Sequence, residues 1–289
     1  MIQPFHTRPT PKTPKHQNTK TPKHSKTLKC IALLLCLSIF FSVKGQDRFQ
    51  LAPPLMRYPS VFFEKETAVA LQFAQAGTQL HYTTNGQVPT EKDPVYTRPI
   101  VLKKHQTTLK VRGFGSGLLP SDPVEATFFK RGLPISNIQH AQAHPSYPGS
   151  GPSTLIDGKG GIAASDSKTW MGFQQDTLSI ALRLAKPQKV KQAFVHALQN
   201  QGAWIFLPQK IELWGQAPGA ANMVLLGTLD LYKGQKDTRP ASHALVITAN
   251  KRLKTDQYLL KIHTLAKIPD WHPGKGKVPW LFLEEINLY

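Results

Sequence analysis

Cysteine is nearly missing: the 289 residues hold two, Cys30 and Cys36, both within the first 45. From residue 46 onward there is no disulfide framework, no thiolate metal site and no thiol nucleophile. Acidic residues are missing from residues 1–45, which carry eight Lys or Arg. The remainder holds 28 basic and 17 acidic residues, a formal +11 of the total +19. Long apolar runs are missing too. The extended one, residues 30–43, has 14 residues, short of the roughly 20 that a transmembrane helix needs. After residue 45 no segment keeps a long apolar stripe of period 3.6, which argues against a helical protein. Neither Gly-x-Ser-x-Gly nor His-Glu-x-x-His occurs, so two common hydrolase signatures are excluded.

What stands at the N-terminus is a basic low-complexity tail that repeats Thr-Pro-Lys at residues 10–12, 13–15 and 21–23. It has too few apolar residues to fold. The apolar run behind Lys29 has the length of a secretory h-region. Val43 and Gly45 are small enough for the −3 and −1 positions, so cleavage is expected before Gln46. An uncleaved anchor is the alternative. A lipoprotein signal fits less well, because Leu33-Leu34-Leu35 precedes Cys36. A start at Leu28 would give a signal of ordinary length and leave residues 1–27 untranslated. These features predict an exported protein of periplasm, cell surface or extracellular space. The mature chain is expected to have no membrane span and no nucleic-acid partner.

The mature chain consists of short β-rich runs broken by Gly, Pro, Asn and Asp, in two blocks joined near residues 130–134. In the first, strands are expected over 68–73, 80–84, 100–103, 108–114 and 124–129. Asn85-Gly86 is a hairpin-type turn signal. This many strands in about 80 residues suit a small immunoglobulin/Fn3-like sandwich over residues 51–131. In the second, residues 178–184 alternate strictly. Further strands over 190–198, 210–214, 224–229, 245–248, 258–264 and 281–288 suggest a jelly-roll sandwich over residues 137–289. The expected fold class is therefore all-β.

Both blocks also resemble known modules. Leu80-His81-Tyr82-Thr83-Thr84-Asn85-Gly86-Gln87-Val88-Pro89-Thr90, Val95-Tyr96-Thr97-Arg98-Pro99-Ile100 and Thr108-Leu109-Lys110-Val111-Arg112-Gly113-Phe114 resemble the chitobiase/β-hexosaminidase C-terminal domain. Leu155-Ile156-Asp157-Gly158, Trp170-Met171-Gly172-Phe173, Trp204-Ile205-Phe206-Leu207-Pro208, Pro269-Asp270-Trp271-His272-Pro273-Gly274 and Trp280-Leu281-Phe282-Leu283-Glu284-Glu285-Ile286 resemble, in that order, the discoidin-like (factor 5/8 type C) module. The tandem resembles the tail of Bacteroidetes β-N-acetylhexosaminidases without the catalytic barrel. The resemblance implies an accessory, non-catalytic role. The family's His-x-Gly-x-Asp-Glu motif is absent, and the chain has no room for a barrel of about 250 residues. The adjacent acidic pair, Glu284-Glu285, is expected on a strand, where neighbouring side chains face apart and cannot share one glycosidic bond.

For carbohydrate binding, an aromatic platform is needed. Trp271 and His272 are expected to be exposed on their loop. Trp204 is a third candidate, while Trp170 and Trp280 are expected to pack inside. Asn200, Gln201 and Arg183 are polar candidates. The resemblance further implies a structural calcium ion, with Asp157 and Glu285 at the family's acidic positions. The expected function is an exported carbohydrate-binding accessory protein, with an amino or neutral sugar as ligand. The alternatives are a structural or protein-docking module, or a subunit acting with a separate glycoside hydrolase.

Overall fold

Alternation sets the strands of the first block. In Thr67–Gln72 the side chains of Thr67, Val69 and Leu71 turn inward and those between them outward or to the margin. A computed structural model describes residues 49–162, 168–231, 234–237 and 239–289. The basic tail, the signal segment and the candidate start at Leu28 lie outside the described residues. Seven strands form the first sandwich: β1 (Leu55–Arg57), β2 (Phe62–Phe63), β3 (Thr67–Gln72), β4 (Thr78–Thr83), β5 (Ile100–Leu102), β6 (Gln106–Gly115) and β7 (Val124–Lys130). One sheet runs β1-β3-β5 and the other β2-β7-β6-β4. Asn85-Gly86 does turn the chain, with Gly86 at φ 79, but no hairpin results. β4 pairs with β6, and the intervening Pro-rich stretch meets β4 at the isolated bridge His81–Val95 and through hydrogen bonds such as that from the Tyr82 amide to the Pro94 carbonyl at 3.0 Å.

Nine strands form the second sandwich: β8 (Ile135–His140), β9 (Met171–Phe173), β10 (Thr177–Lys189), β11 (Gln192–Gln199), β12 (Lys210–Gln216), β13 (Met223–Asp230), β14 (Ala241–Thr248), β15 (Lys254–His263) and β16 (Leu281–Leu288). A five-stranded sheet, β13-β12-β15-β10-β8, faces a four-stranded one, β14-β11-β16-β9, and every pairing is antiparallel. Leu178, Ile180 and Leu182 of β10, Leu260 of β15, Val195 of β11 and Leu283 of β16 meet between them. The fold is thus all-β, two sandwiches in series. Among the described residues, no helix is long and apolar enough to cross a membrane.

Two neighbouring strands of the four-stranded sheet, β11 and β16, are covered on both faces. β11 is buried from Ala193 through Gln199, and β16 along its whole length. Val195 and Ala197 enter the inter-sheet core, while Phe194 points outward and joins the core of the first sandwich. There its ring lies 4.7 Å from that of Phe129 and 6.0 Å from that of Phe62. Each of these rings contributes roughly 1.5–3 kcal/mol by leaving water. Polar contacts line the same junction. Ser60 donates to the Gly158 carbonyl at 3.0 Å, the Val61 amide to Gly160 at 3.2 Å, and Arg131 to Ile156 at 2.6 Å.

Candidate functional site

The loops at one end of the second sandwich carry three of its tryptophans, Trp204, Trp271 and Trp280. Residues 200–209 join β11 to β12, and residues 264–280 join β15 to β16. A short 3-10 turn, Gln201–Ala203, is capped by Asn200, whose side chain accepts from the Ala203 amide. It ends on Trp204 at φ 65, the lone non-glycine residue with positive φ among the described residues. For an L-residue that conformation costs about 1–2 kcal/mol. It holds the Trp204 side chain 38 % exposed. Gly274 from the second loop lies against the indole. A Cβ there would come within 2.8 Å of the ring, so only glycine permits this approach.

Trp271 is 37 % exposed, and its Nε1–H donates to the Gly234 carbonyl at 2.8 Å. His272 is not an exposed partner of Trp271. It is 7 % exposed, and both ring nitrogens are engaged. Nε2 donates to the Gln201 carbonyl at 2.8 Å, and Nδ1 accepts from the Gly274 amide at 2.9 Å. A buried ring with both nitrogens satisfied is a strut between the loops and offers a ligand nothing. Gln201 is also buried, donating to the Gln235 carbonyl and accepting from the Asp237 amide. Asn200 is spent on its cap. Arg183 lies mid-strand on β10, paired with Asp256 at 3.5 Å, away from this end. Trp170 is fully buried and Trp280 half-buried beside it, with Tyr147 and Phe282. The site at this end therefore reduces to Trp204 and Trp271, braced by His272 and Gln201.

The second cluster is the acidic pair. Side chains were expected to alternate across β16, yet Glu284 and Glu285 both leave the core and Leu283 and Ile286 on either side both enter it. The cause is a register shift against β11 between His196 and Ala197, a β-bulge that places one extra residue on the outer face. Glu284 accepts from the Gly161 amide at 3.0 Å, Thr169 Oγ1 at 2.6 Å and His196 Nδ1 at 2.7 Å. Glu285 accepts from the Gly158 amide at 3.0 Å and Asn287 Nδ2 at 3.3 Å, with Arg131 Nε at 3.9 Å. Burial pushes the Glu285 carboxyl up to about 8, against the opposing pull of the Gly158 amide and Arg131. Asp157 is also raised by burial.

These residues do not fit the implied calcium ion. Calcium takes six to eight oxygens, whereas the Glu285 oxygens face N–H donors and a guanidinium. Asp157 Oδ1 accepts from the Lys159 amide at 2.8 Å. The carbonyls of Gly158 and Gly160, which a cation would use, accept from Ser60 and Val61 of the first sandwich. Among the described residues, no group of three or more His, Cys, Asp and Glu is placed to hold a metal. The sequence reading missed His196 and Arg131. The detectable signal was His196 itself, one polar residue inside Ala193-Phe194-Val195-His196-Ala197-Leu198.

No curated protein matches the chain. Among solved structures, a pectin-binding carbohydrate-binding module is 15 % identical, covering 54 % of this chain and 91 % of that one at a TM-score of 0.31. A GH31 CBM32-2 module bound to GalNAc is 16 % identical, covering 54 % and 98 % at a TM-score of 0.33. The family 32 module of C. perfringens NanJ in complex with galactose is 11 % identical, covering 53 % and 91 % at a TM-score of 0.33. At these scores the likeness fixes neither fold nor ligand. Residues 59–125 match the family model of the chitobiase/beta-hexosaminidase C-terminal domain.

Proposed function

We propose that this chain is an exported, non-catalytic carbohydrate-binding accessory protein that takes an amino or neutral sugar at Trp204 and Trp271. The observation that carries this reading is Trp204 itself. A bulky aromatic residue is kept in a costly left-handed conformation and left substantially exposed. Local strain of this kind gathers where a side chain must be presented. An exposed indole offers the flat apolar face that a pyranose ring covers. Catalysis is disfavoured because both adjacent glutamates are wholly buried and occupied by protein donors. Export is supported by the apolar run at residues 30–43 behind Lys29. The family match over residues 59–125 also supports an accessory role beside a glycoside hydrolase.

A glycan array probed with the chain tests the reading. Binding to at least one neutral or amino sugar is expected, and Trp204→Ala or Trp271→Ala should lose it while keeping a native circular-dichroism spectrum. No binding to any such sugar would favour the protein-docking alternative.

A further inference from the structure

The outer face of β11 places His196 at the junction of the two sandwiches, only 3 % exposed. Aromatic rings fix its plane. Trp170 and Phe194 lie nearly parallel to it, at 5.7 and 6.0 Å, and Phe62 meets it edge-on at 5.3 Å. Its Nδ1–H donates to Glu284 at 2.7 Å. In the tautomer which that bond selects, Nε2 carries a lone pair. Nε2 has no hydrogen-bond partner among the described residues, and it is not sealed in, because the ring lines a cleft of about 390 Å³. That volume lies within the range of small-molecule sites.

The cleft runs between β7 and β14. Tyr58, Gln106 and Thr127 line it from the first sandwich, Ser242 and Ala244 from the second. Glu125 is its acidic lining residue, and Lys110 neutralises it at 2.7 Å. Among the described residues no Lys or Arg lines the cleft, so its described lining is not built to recognise an anion. Burial, and then the nearby Glu284, push the Tyr58 phenol up, so it keeps its proton and can donate. The lining thus combines a fixed acceptor, neutral donors and aromatic walls, a set that suits a ligand rich in hydroxyl groups.

We propose that this cleft is a second binding site, separate from Trp204 and Trp271, which takes a neutral, hydroxyl-rich ligand of the size of a sugar residue. His196 Nε2 accepts a hydrogen bond from one ligand hydroxyl there, with Glu284 fixing the ring. The sugar class rests on the carbohydrate reading above, while the site rests on its own geometry.

The test uses the chain labelled with 15N at histidine and at the tryptophan indoles. Galactose, N-acetylgalactosamine and N-acetylglucosamine serve as probes, titrated at millimolar concentrations. The His196 Nε2 resonance is expected to move and saturate with at least one probe, and equally in a Trp204→Ala, Trp271→Ala double variant. In Ala244→Phe the movement should vanish. Ala244 is an exposed residue of β14 opposite His196, so the new ring fills the cleft and leaves the His196–Glu284 bond in place. The proposal is overturned if no probe moves Nε2, if the movement survives Ala244→Phe, or if it disappears in the tryptophan double variant. The indole Nε1–H signals of Trp204 and Trp271 report the other site separately, so either site can fail alone.

Discussion

Trp204 combines two features that stability alone would remove: a left-handed backbone and an indole left in water. Glycine carries no penalty at φ 65, whereas alanine does. Trp204→Gly is therefore expected to be more stable than Trp204→Ala by about 1 kcal/mol in urea denaturation, though neither should bind sugar. Equal stabilities would mean that the backbone is not strained. His272 belongs to the same site as a strut. The sequence showed which aromatic residues cluster on loops, because Trp and His beside Pro and Gly mark a loop directly. It did not show their exposure. His272 follows Trp271 immediately, yet the bond to Gln201, 71 positions away, turns it inward. Long-range bonds of this kind leave no local pattern.

The bulge in β16 governs the acidic pair. Because Glu285 is raised by burial from 4.5 to about 8, the native state holds a proton that the unfolded state has already released. Its contribution to stability is present below about pH 4.5 and is lost as pH rises towards about 8. Thermal melts from about pH 5 to pH 8 should therefore fall more steeply in the wild type than in Glu285→Gln. A parallel pair of curves would show that Glu285 is not buried as described. Gly160→Ala tests the neighbouring loop, because a Cβ there would sit 2.2 Å from the Glu284 carboxyl carbon. Overpacking of this sort costs about 1–3 kcal/mol, readable as a lowered urea midpoint. Most long strands were legible, since alternation in β3 and β10 and the apolar run in β11 are local signals. The two acids between Leu283 and Ile286 were the trace of the bulge, since strict alternation cannot send both flanking residues inward. The short strands β1, β2 and β9 left no such trace, because two or three residues are too few to show a period.

At the scale of the molecule, the described residues form one compact unit in which Phe62, Phe129 and Phe194 join the two sandwiches. Phe62→Ala is expected to cost about 3–5 kcal/mol. The wild type should unfold in urea as a single transition, since neither sandwich buries its junction face alone. Two separated transitions would contradict a shared core. The contacts that replace calcium come from the first sandwich and from backbone amides, so EDTA should leave the melting temperature unchanged. A fall on chelation would restore the metal. None of this junction could be read from the sequence, where its partners lie about 100 positions apart, as Ser60 and Gly160 do. The most direct measurement of the carbohydrate account is isothermal titration of the chain, and of Trp204→Ala and Trp271→Ala, with the best sugar from the array. Loss of a stacked indole should weaken binding about ten- to a hundredfold, corresponding to roughly 1.5–3 kcal/mol. Unchanged affinity in both variants would contradict the account.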